Sequence, residues 1–254
     1  MPLALITGAS AGIGRATAVA FARQKWSVAI GARRVERLQR LVPELQGLGA
    51  PAVFAERLDV TEPDSVERFT TGLVEQLGVP DCLVNNAGLA RGVERVEDGE
   101  GEAWREMIET NVVGVLSMTR RVLPRMIERG SGHVIMLGSI AGTMPYANGS
   151  VYSATKSAVA SIARALRLET LGRGIRISSV DPGATNTEFS LVRFSGDAER
   201  ADHVYDGLEP LTGEDVAECI LFIATRPAHV NIERIDLLCT AQADPWHYSR
   251  EEDA

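Results

Sequence analysis

Short, mostly unbroken apolar runs alternate along this chain with longer stretches of helical periodicity. Residues 3–6, 27–30, 52–58, 82–84, 134–137, 175–180 and 232–238 read as strands, because a strand covered on both faces shows a continuous apolar run rather than alternation. Helical patterns occupy 15–23, a segment ending near 48, one capped at Thr61 or Asp64 and ending near 77, then 103–128, 151–172 and 212–224. Strand and helix therefore alternate from end to end. That order predicts one α/β domain over residues 1–254, with a mainly parallel sheet covered by helices on both faces and wound right-handedly in the strand order 3-2-1-4-5-6-7. Two stretches break the pattern. Residues 188–211 are irregular and polar, with Phe189, Phe194 and Tyr205 interspersed, the composition of a lid beside a ligand edge or of a surface loop with a short helix. Residues 240–254 carry no periodicity and read as an extended tail.

Composition narrows the class. The 254 residues are 45% hydrophobic and 24% charged, ordinary for a globular chain and wrong for disorder. A net charge of −8 argues against a nucleic-acid or anionic-membrane surface. Cys82, Cys219 and Cys239 are odd in number and far apart, so they make neither a disulfide framework nor a CxxC metal or redox motif. His133, His203, His229 and His247 lack ligand spacing, and no metal is expected. No run is apolar and long enough to span a bilayer, and the chain enters its first strand at once. The expected location is the cytoplasm.

The alternation also says where chemistry belongs, since ligands of open α/β sheets bind beyond the carboxyl ends of the strands. The first strand ends in Thr7-Gly8-Ala9-Ser10-Ala11-Gly12-Ile13-Gly14 and leads into a helix. Strand, glycine turn and helix make a phosphate-binding arrangement: Gly8 allows the tight turn, Gly12 lets main chain approach a pyrophosphate, Gly14 lets helix and strand pack, and the helix start offers free N–H groups. The second strand ends at Ala32, where an acid would take the ribose 2′-hydroxyl of NAD(H), and Arg33 and Arg34 follow. Guanidinium groups there suit a 2′-phosphate, so NADP(H) is expected over NAD(H). Asn85-Asn86-Ala87-Gly88 closes the fourth strand, and Asn111 sits inside a helical stretch, where asparagine is not preferred. The densest chemistry runs from Ser139, at the end of the fifth strand, to Tyr152-Ser153-Ala154-Thr155-Lys156. Tyr152 and Lys156 stand at i and i+4, on one face of a helix. An ammonium beside a phenol stabilises the phenolate and lowers its pKa. Ser139, reaching the same spot, would hold a substrate oxygen.

With these pieces in order, the chain resembles the short-chain dehydrogenase/reductase family over nearly its whole length. The resemblance rests on the Thr7-to-Gly14 turn, Asp59, the Asn85-to-Gly88 tetrad, Asn111, Ser139, the Tyr152-to-Lys156 pentad, and Pro182-Gly183 with Thr187. It implies a single-domain, Rossmann-type doubly wound sheet and reversible hydride transfer between NADP(H) and a small hydroxy or carbonyl substrate. By this resemblance Tyr152 is the acid/base, Ser139 orients the substrate oxygen, Lys156 lowers the Tyr152 pKa while holding the nicotinamide ribose, and Asn111 positions a relay water. Gly8, Gly12, Ile13 and Gly14 would line the phosphates, Arg33, Arg34 and Ser10 the 2′-phosphate, and Asp59 the adenine. Asn86, Ala87 and Gly88 would line the adenosine ribose side, and Pro182, Gly183 and Thr187 the nicotinamide end. Two positions depart from the family's pattern: Ala11 stands where NADP-preferring members frequently have a Lys or Arg, and Gly138 replaces the first serine of a frequent pair while Ser139 keeps the catalytic spacing.

The C-terminal third resembles the branch of NADP-dependent 3-hydroxy acid and serine dehydrogenases. The residues that carry this are Thr187-Glu188-Phe189-Ser190-Leu191-Val192-Arg193-Phe194, Gly196-Asp197, Tyr205, Pro210-Leu211-Thr212 and Pro227-Ala228-His229-Val230-Asn231-Ile232. A small carboxylate substrate needs a cation, for which Arg193 is the candidate, with Arg200 behind it. An ion pair of Arg193 with Asp197 is the competing reading. Two rival functions remain: a broad carbonyl or biosynthetic aldehyde reductase of the same chemistry, and a non-catalytic dinucleotide sensor on the same fold. The resemblance further implies a homotetramer built on the helices that carry Asn111 and Tyr152, with the tail reaching toward a neighbouring subunit.

Overall fold

Period-two burial along the strands sets the architecture. On the first strand Ala4 and Ile6 face one apolar layer while Leu3 and Leu5 face the other, so this strand must be covered on both sides. The computed structural model describes residues 1–250. Its strands are β1 (Leu3–Thr7), β2 (Ser27–Ala32), β3 (Val53–Arg57), β4 (Cys82–Asn85), β5 (Gly132–Leu137), β6 (Ile175–Pro182) and β7 (Arg234–Leu237). They form a 7-stranded sheet in the order β3-β2-β1-β4-β5-β6-β7, every pairing parallel. This is the expected Rossmann-type order.

The helices follow as α1 (Gly12–Arg23), α2 (Val35–Gly47), α3 (Pro63–Leu77), α4 (Gly101–Ile108), α5 (Gly114–Arg129), α6 (Ser150–Glu169), α7 (Phe189–Arg193), α8 (Ala198–Asp202) and α9 (Gly213–Ala224). One layer joins Phe21 of α1, Leu38 and Leu45 of α2 and Ile220 of α9 to Ile6 and Ile30. The opposite layer joins Phe69 and Leu73 of α3, Met118 and Met126 of α5 and Val159 of α6 to Leu5 and Val134. Each such buried side chain stabilises the fold by about 1.5–3 kcal/mol, which locks the helices to their faces. β1 pairs with β2 on one side and β4 on the other. The chain order reverses there, and a crevice opens beyond the strands' carboxyl ends.

Three expectations about local structure are corrected: the cap of α3, the single helix around Asn111 and the extended tail. Neither Thr61 nor Asp64 caps α3: the helix starts at Pro63 with no side-chain cap, and the Thr61 hydroxyl instead donates to Asp59 at 2.7 Å. Proline at the first turn presets φ and needs no N–H partner. The helical stretch around Asn111 is not one α-helix, because Glu109–Val113 widens into a π-helical turn between α4 and α5. Residues 188–211 contain α7, α8 and a 3-10 turn, His203–Tyr205. The tail is not extended: Gln242 and Tyr248 form an antiparallel bridge, and Asp244 Oδ1 accepts from the N–H groups of Trp246 and His247 at 2.8 and 2.9 Å. The final residues of the expected tail, 251–254, lie outside the described residues.

Candidate active site

The turn after β1 is shaped by its neighbours. Gly8 has φ +68°, and a Cβ there would lie 2.9 Å from the Ala87 Cα, so a side chain is barred by conformation and by space. Thr7 Oγ1 accepts from the N–H groups of Asn86 and Ala87 at 3.0 and 2.9 Å, while Asn86 Nδ2 donates to the Thr7 carbonyl at 2.8 Å. These bonds tie the ends of β1 and β4 together at the crevice. Gly12, Ile13 and Gly14 open α1, which has no side-chain cap, leaving its first N–H groups free for an anion. A cavity of about 580 Å³ begins here and runs past Arg34, Asn86, Ala87 and Gly88 to Ser139, Tyr152, Lys156, Pro182, Gly183, Thr187 and Arg193.

At the Arg34 end the charges meet one another. Arg34 Nε and Nη2 donate to Ser10 Oγ at 3.2 and 3.1 Å. Its Nη1 donates to Glu188 at 2.7 Å, and Arg37 donates to the other oxygen of the same carboxylate at 2.5 Å. These pairs hold the Glu188 carboxyl below its usual range, against the upward pull of partial burial. Two expected residues stand apart. Arg33 is exposed at the end of β2, and Asp59 spends one oxygen on the N–H and hydroxyl of Thr61. Neither lines the cavity.

At the Tyr152 end Lys156 and Asp181 are buried and Tyr152 is partly so. The first turns of α6 place Tyr152 and Lys156 on one face as the spacing predicts, but their electrostatics differ from expectation. Burial raises the Tyr152 pKa, and the effects that offset it come from the Arg193 charge and a hydrogen bond with Ser139. Lys156 lies beside the ring and is bound to main chain. Its Nζ lies 5.8 Å from the Tyr152 ring centroid and donates to the Leu137 carbonyl at 2.8 Å. Burial pushes the Lys156 ammonium down to about 8, partly offset by the buried Asp181 carboxylate. Asp181 is itself raised by burial, though Ser179 donates to it at 2.6 Å and Arg234 pairs with it at 2.7 Å.

The Asn111 side chain is spent on structure. Its Oδ1 accepts from the Leu89 N–H at 2.8 Å, and its Nδ2 donates to the Leu89 carbonyl at 2.8 Å and to Thr155 Oγ1 at 3.1 Å. These contacts anchor the π-helical turn to the crevice wall and to α6.

Arg193 closes this end of the cavity from α7. Its guanidinium carbon stands 5.1 Å from the Tyr152 ring centroid and 5.2 Å from that of Phe189, while Nη2 donates to the Tyr146 hydroxyl at 2.6 Å. Its Nε is buried without a partner. Among the described residues it forms no ion pair with Asp197 or any other carboxylate; Asp197 instead caps α8 by accepting from the Arg200 N–H at 3.0 Å. Arg200 does not stand behind Arg193 in the cavity wall but packs over the Phe194 ring, 4.4 Å from its centroid. The tail completes the wall. Trp246 meets Tyr146 edge to face at 5.3 Å, and Gln242 Oε1 accepts from the Ala184 N–H at 2.8 Å.

Sequence reasoning missed Arg37, Tyr146, Asp181, Glu188 and the tail residues Gln242, Trp246 and Tyr248 as parts of this site. Only Asp181 had a usable signal, as an acid at the end of an apolar strand run directly before Pro182-Gly183.

Comparison with known proteins agrees with this geometry. The model of the short chain dehydrogenase family matches residues 2–196. An NADP-dependent 3-hydroxy acid dehydrogenase of Schizosaccharomyces pombe is 43% identical over 249 residues, covering 98% of this chain and 96% of that protein. A sulfoacetaldehyde reductase of Chromohalobacter salexigens is 42% identical over 239 residues, covering 94% of each. Among solved structures, the closed form of a serine dehydrogenase complexed with NADP+ superposes with a TM-score of 0.92 at 39% identity, covering 98% of this chain and 100% of the other.

Proposed function

Since this chain belongs to the short-chain dehydrogenase family, we propose that it is an NADP-dependent oxidoreductase acting on a small hydroxy or carbonyl substrate that carries an anionic group, a 3-hydroxy acid or serine-like compound. The single observation that carries this reading is Arg193, a cation beside Tyr152 that among the described residues has a buried, unpartnered Nε and no carboxylate of its own. A buried donor without a partner is costly, and a planar guanidinium suits a carboxylate. The similar proteins named above for 3-hydroxy acids, serine and sulfoacetaldehyde support the same chemistry, since each of those compounds carries a carboxylate or sulfonate group.

The cleft fits NADP. The uncapped start of α1 suits the pyrophosphate, and the slot between Gly12 and Thr187 is so narrow that a Cβ on Gly12 would lie 3.1 Å from the Thr187 Cβ. Arg34 beside Ser10 suits the 2′-phosphate. When bound, the nicotinamide supplies a reversible hydride acceptor and donor. The chain's own groups do the rest. Tyr152, kept protonated at neutral pH by burial, donates a proton to the substrate oxygen in reduction and takes it back in oxidation. Ser139 holds that oxygen, and Arg193 holds the substrate's anion so that the carbon between them is fixed. Lys156, charged below about pH 8, holds the nicotinamide ribose. Because the Asn111 side chain is engaged, a relay water would fall to its main-chain carbonyl in the π-helical turn.

We read residues 188–211 as a lid and the chain as a cytoplasmic homotetramer. Unpaired Cys82, Cys219 and Cys239 suit a reducing compartment, and exposed Ile108, Val113 and Leu116 offer an apolar face along the stretch that bears Asn111. The test is NADP(H)-linked turnover on 3-hydroxy acids, serine and sulfonate-bearing aldehydes, each against a matched compound without the anion. Selectivity for the anionic member supports the reading. Equal rates on both members support a general carbonyl reductase, and NADPH binding without turnover supports a sensor.

A further inference from the structure

The carboxylate of Glu188 sits where two guanidinium groups converge. One oxygen faces Arg34 at 2.7 Å and the other faces Arg37 at 2.5 Å, and Arg34 is steadied by Ser10. The bridge divides one groove in two. Arg34 lines the large cavity, Arg37 lines a second hollow of about 440 Å³ between α1, α2 and α9, and Glu188 and Ser10 border that hollow as well. Two cations that each take one oxygen of a single anion match two of the three oxygens of a phosphate monoester. The pairs are also displaceable. The arginine side chains are 45% and 43% exposed and the glutamate 37%, so each pair is a screened surface interaction.

Glu188 is directly coupled to the reactive end. Its carbonyl accepts from the Val192 N–H at 3.0 Å, making it the first turn of α7. That helix carries Phe189 against Tyr152, with ring centroids 5.5 Å apart, and Arg193 over the same ring.

We propose that Glu188 is a carboxylate latch that holds Arg34 and Arg37 in the place of the cofactor's 2′-phosphate, so that only a ligand bearing that phosphate releases it and frees α7. This rests on the NADP reading above. A dinucleotide with a 2′-hydroxyl carries no charge to displace the carboxylate and leaves the latch closed. Glu188 thereby sharpens the preference for NADP over NAD from the lid side, and Arg37 joins Arg34 as a residue that sets this preference.

The test uses the full chain and calorimetric binding of NADP+, NAD+ and adenosine 2′,5′-bisphosphate. Glu188→Gln removes the competing charge and is expected to tighten NADP+ and the bisphosphate roughly threefold to tenfold, the range of two exposed ion pairs. NAD+ should change by less than about twofold, since it does not compete for the arginines. In the native chain the bisphosphate alone should speed amide exchange across 189–193. Tightening that disappears in Glu188→Gln/Arg37→Ala would support the latch at its second contact. Unchanged or weaker NADP+ binding by a Glu188→Gln protein of native thermal stability would overturn the latch while leaving the NADP reading intact. A native chain that binds NAD+ as tightly as NADP+ would overturn both.

Discussion

At the Arg34 end of the cleft Arg34, Arg37 and Glu188 are each more than a third exposed and satisfy one another; at the Tyr152 end Lys156 is buried and Tyr152 partly so, and burial disfavours the charged form of each. The first arrangement is inexpensive and reversible, as suits recognition by exchange of one anion for another. The second stores unfavourable desolvation in the folded state, raising the Tyr152 phenol and bringing the Lys156 ammonium down to about 8. Arg193 belongs to the second end by place, yet on the proposed reading it offers a cation to an incoming anion as the first end does. It is where recognition and chemistry meet.

Breaking the buried end should have the largest effect. Tyr152→Phe keeps the ring against Phe189 and removes only the hydroxyl, so turnover is expected to fall about 10²–10⁴-fold, the range for losing a general acid. NADPH affinity, measured by fluorescence titration, should stay within about threefold because the 2′-phosphate end is untouched. A parallel loss of both would mean that Tyr152 serves the fold rather than the chemistry. Breaking the exposed end should reverse that pattern. Arg34→Ala is expected to weaken NADP+ roughly tenfold to a hundredfold, as for loss of a charge-assisted hydrogen bond, with NAD+ binding nearly unchanged. If NAD+ weakened equally, Arg34 would be acting on the fold of the turn.

The smallest effect sharpens the comparison without breaking either end. The chain has two lysines, Lys25 and Lys156, and Lys25 is exposed. Carbon-13 methylation of the apoprotein therefore labels the two lysines and the N-terminal amine, and the signal that is lost in Lys156→Arg should titrate near pH 8. Because folding favours its amine form, the folded state should gain stability from Lys156 as pH rises from about 8 toward the ordinary 10.5. A Lys156 step near 10.5 would contradict the burial argument.

Much of this was legible in the sequence because the signals are local. Strands covered on both faces write themselves as apolar runs, and the alternation with helices then leaves few topologies. Ser139, Tyr152 and Lys156 were found because a strand end and an i, i+4 spacing are enough to bring them together. What spacing does not carry is burial. The sequence placed an ammonium beside a phenol and suggested a lowered Tyr152 pKa, but desolvation and the Arg193 charge dominate in the folded chain. Long-range pairs were equally silent: Arg34 and Glu188 lie 154 residues apart, and nothing in the tail's composition tells that Trp246 returns to Tyr146. Asn111 gave half its meaning. Its poor fit to a helix interior was visible, whereas the π-helical turn depends on anchors at Leu89 and Thr155.

The most direct measurement is steady-state kinetics of Arg193→Ala with NADPH on a short 3-oxo acid and on its uncharged ester. The account predicts a KM for the acid raised roughly tenfold to a hundredfold, as for loss of a guanidinium–carboxylate pair, and little change for the ester. Equal effects on the two substrates, or none on the acid, would contradict it and leave Arg193 as a packing residue for Tyr146 and Phe189.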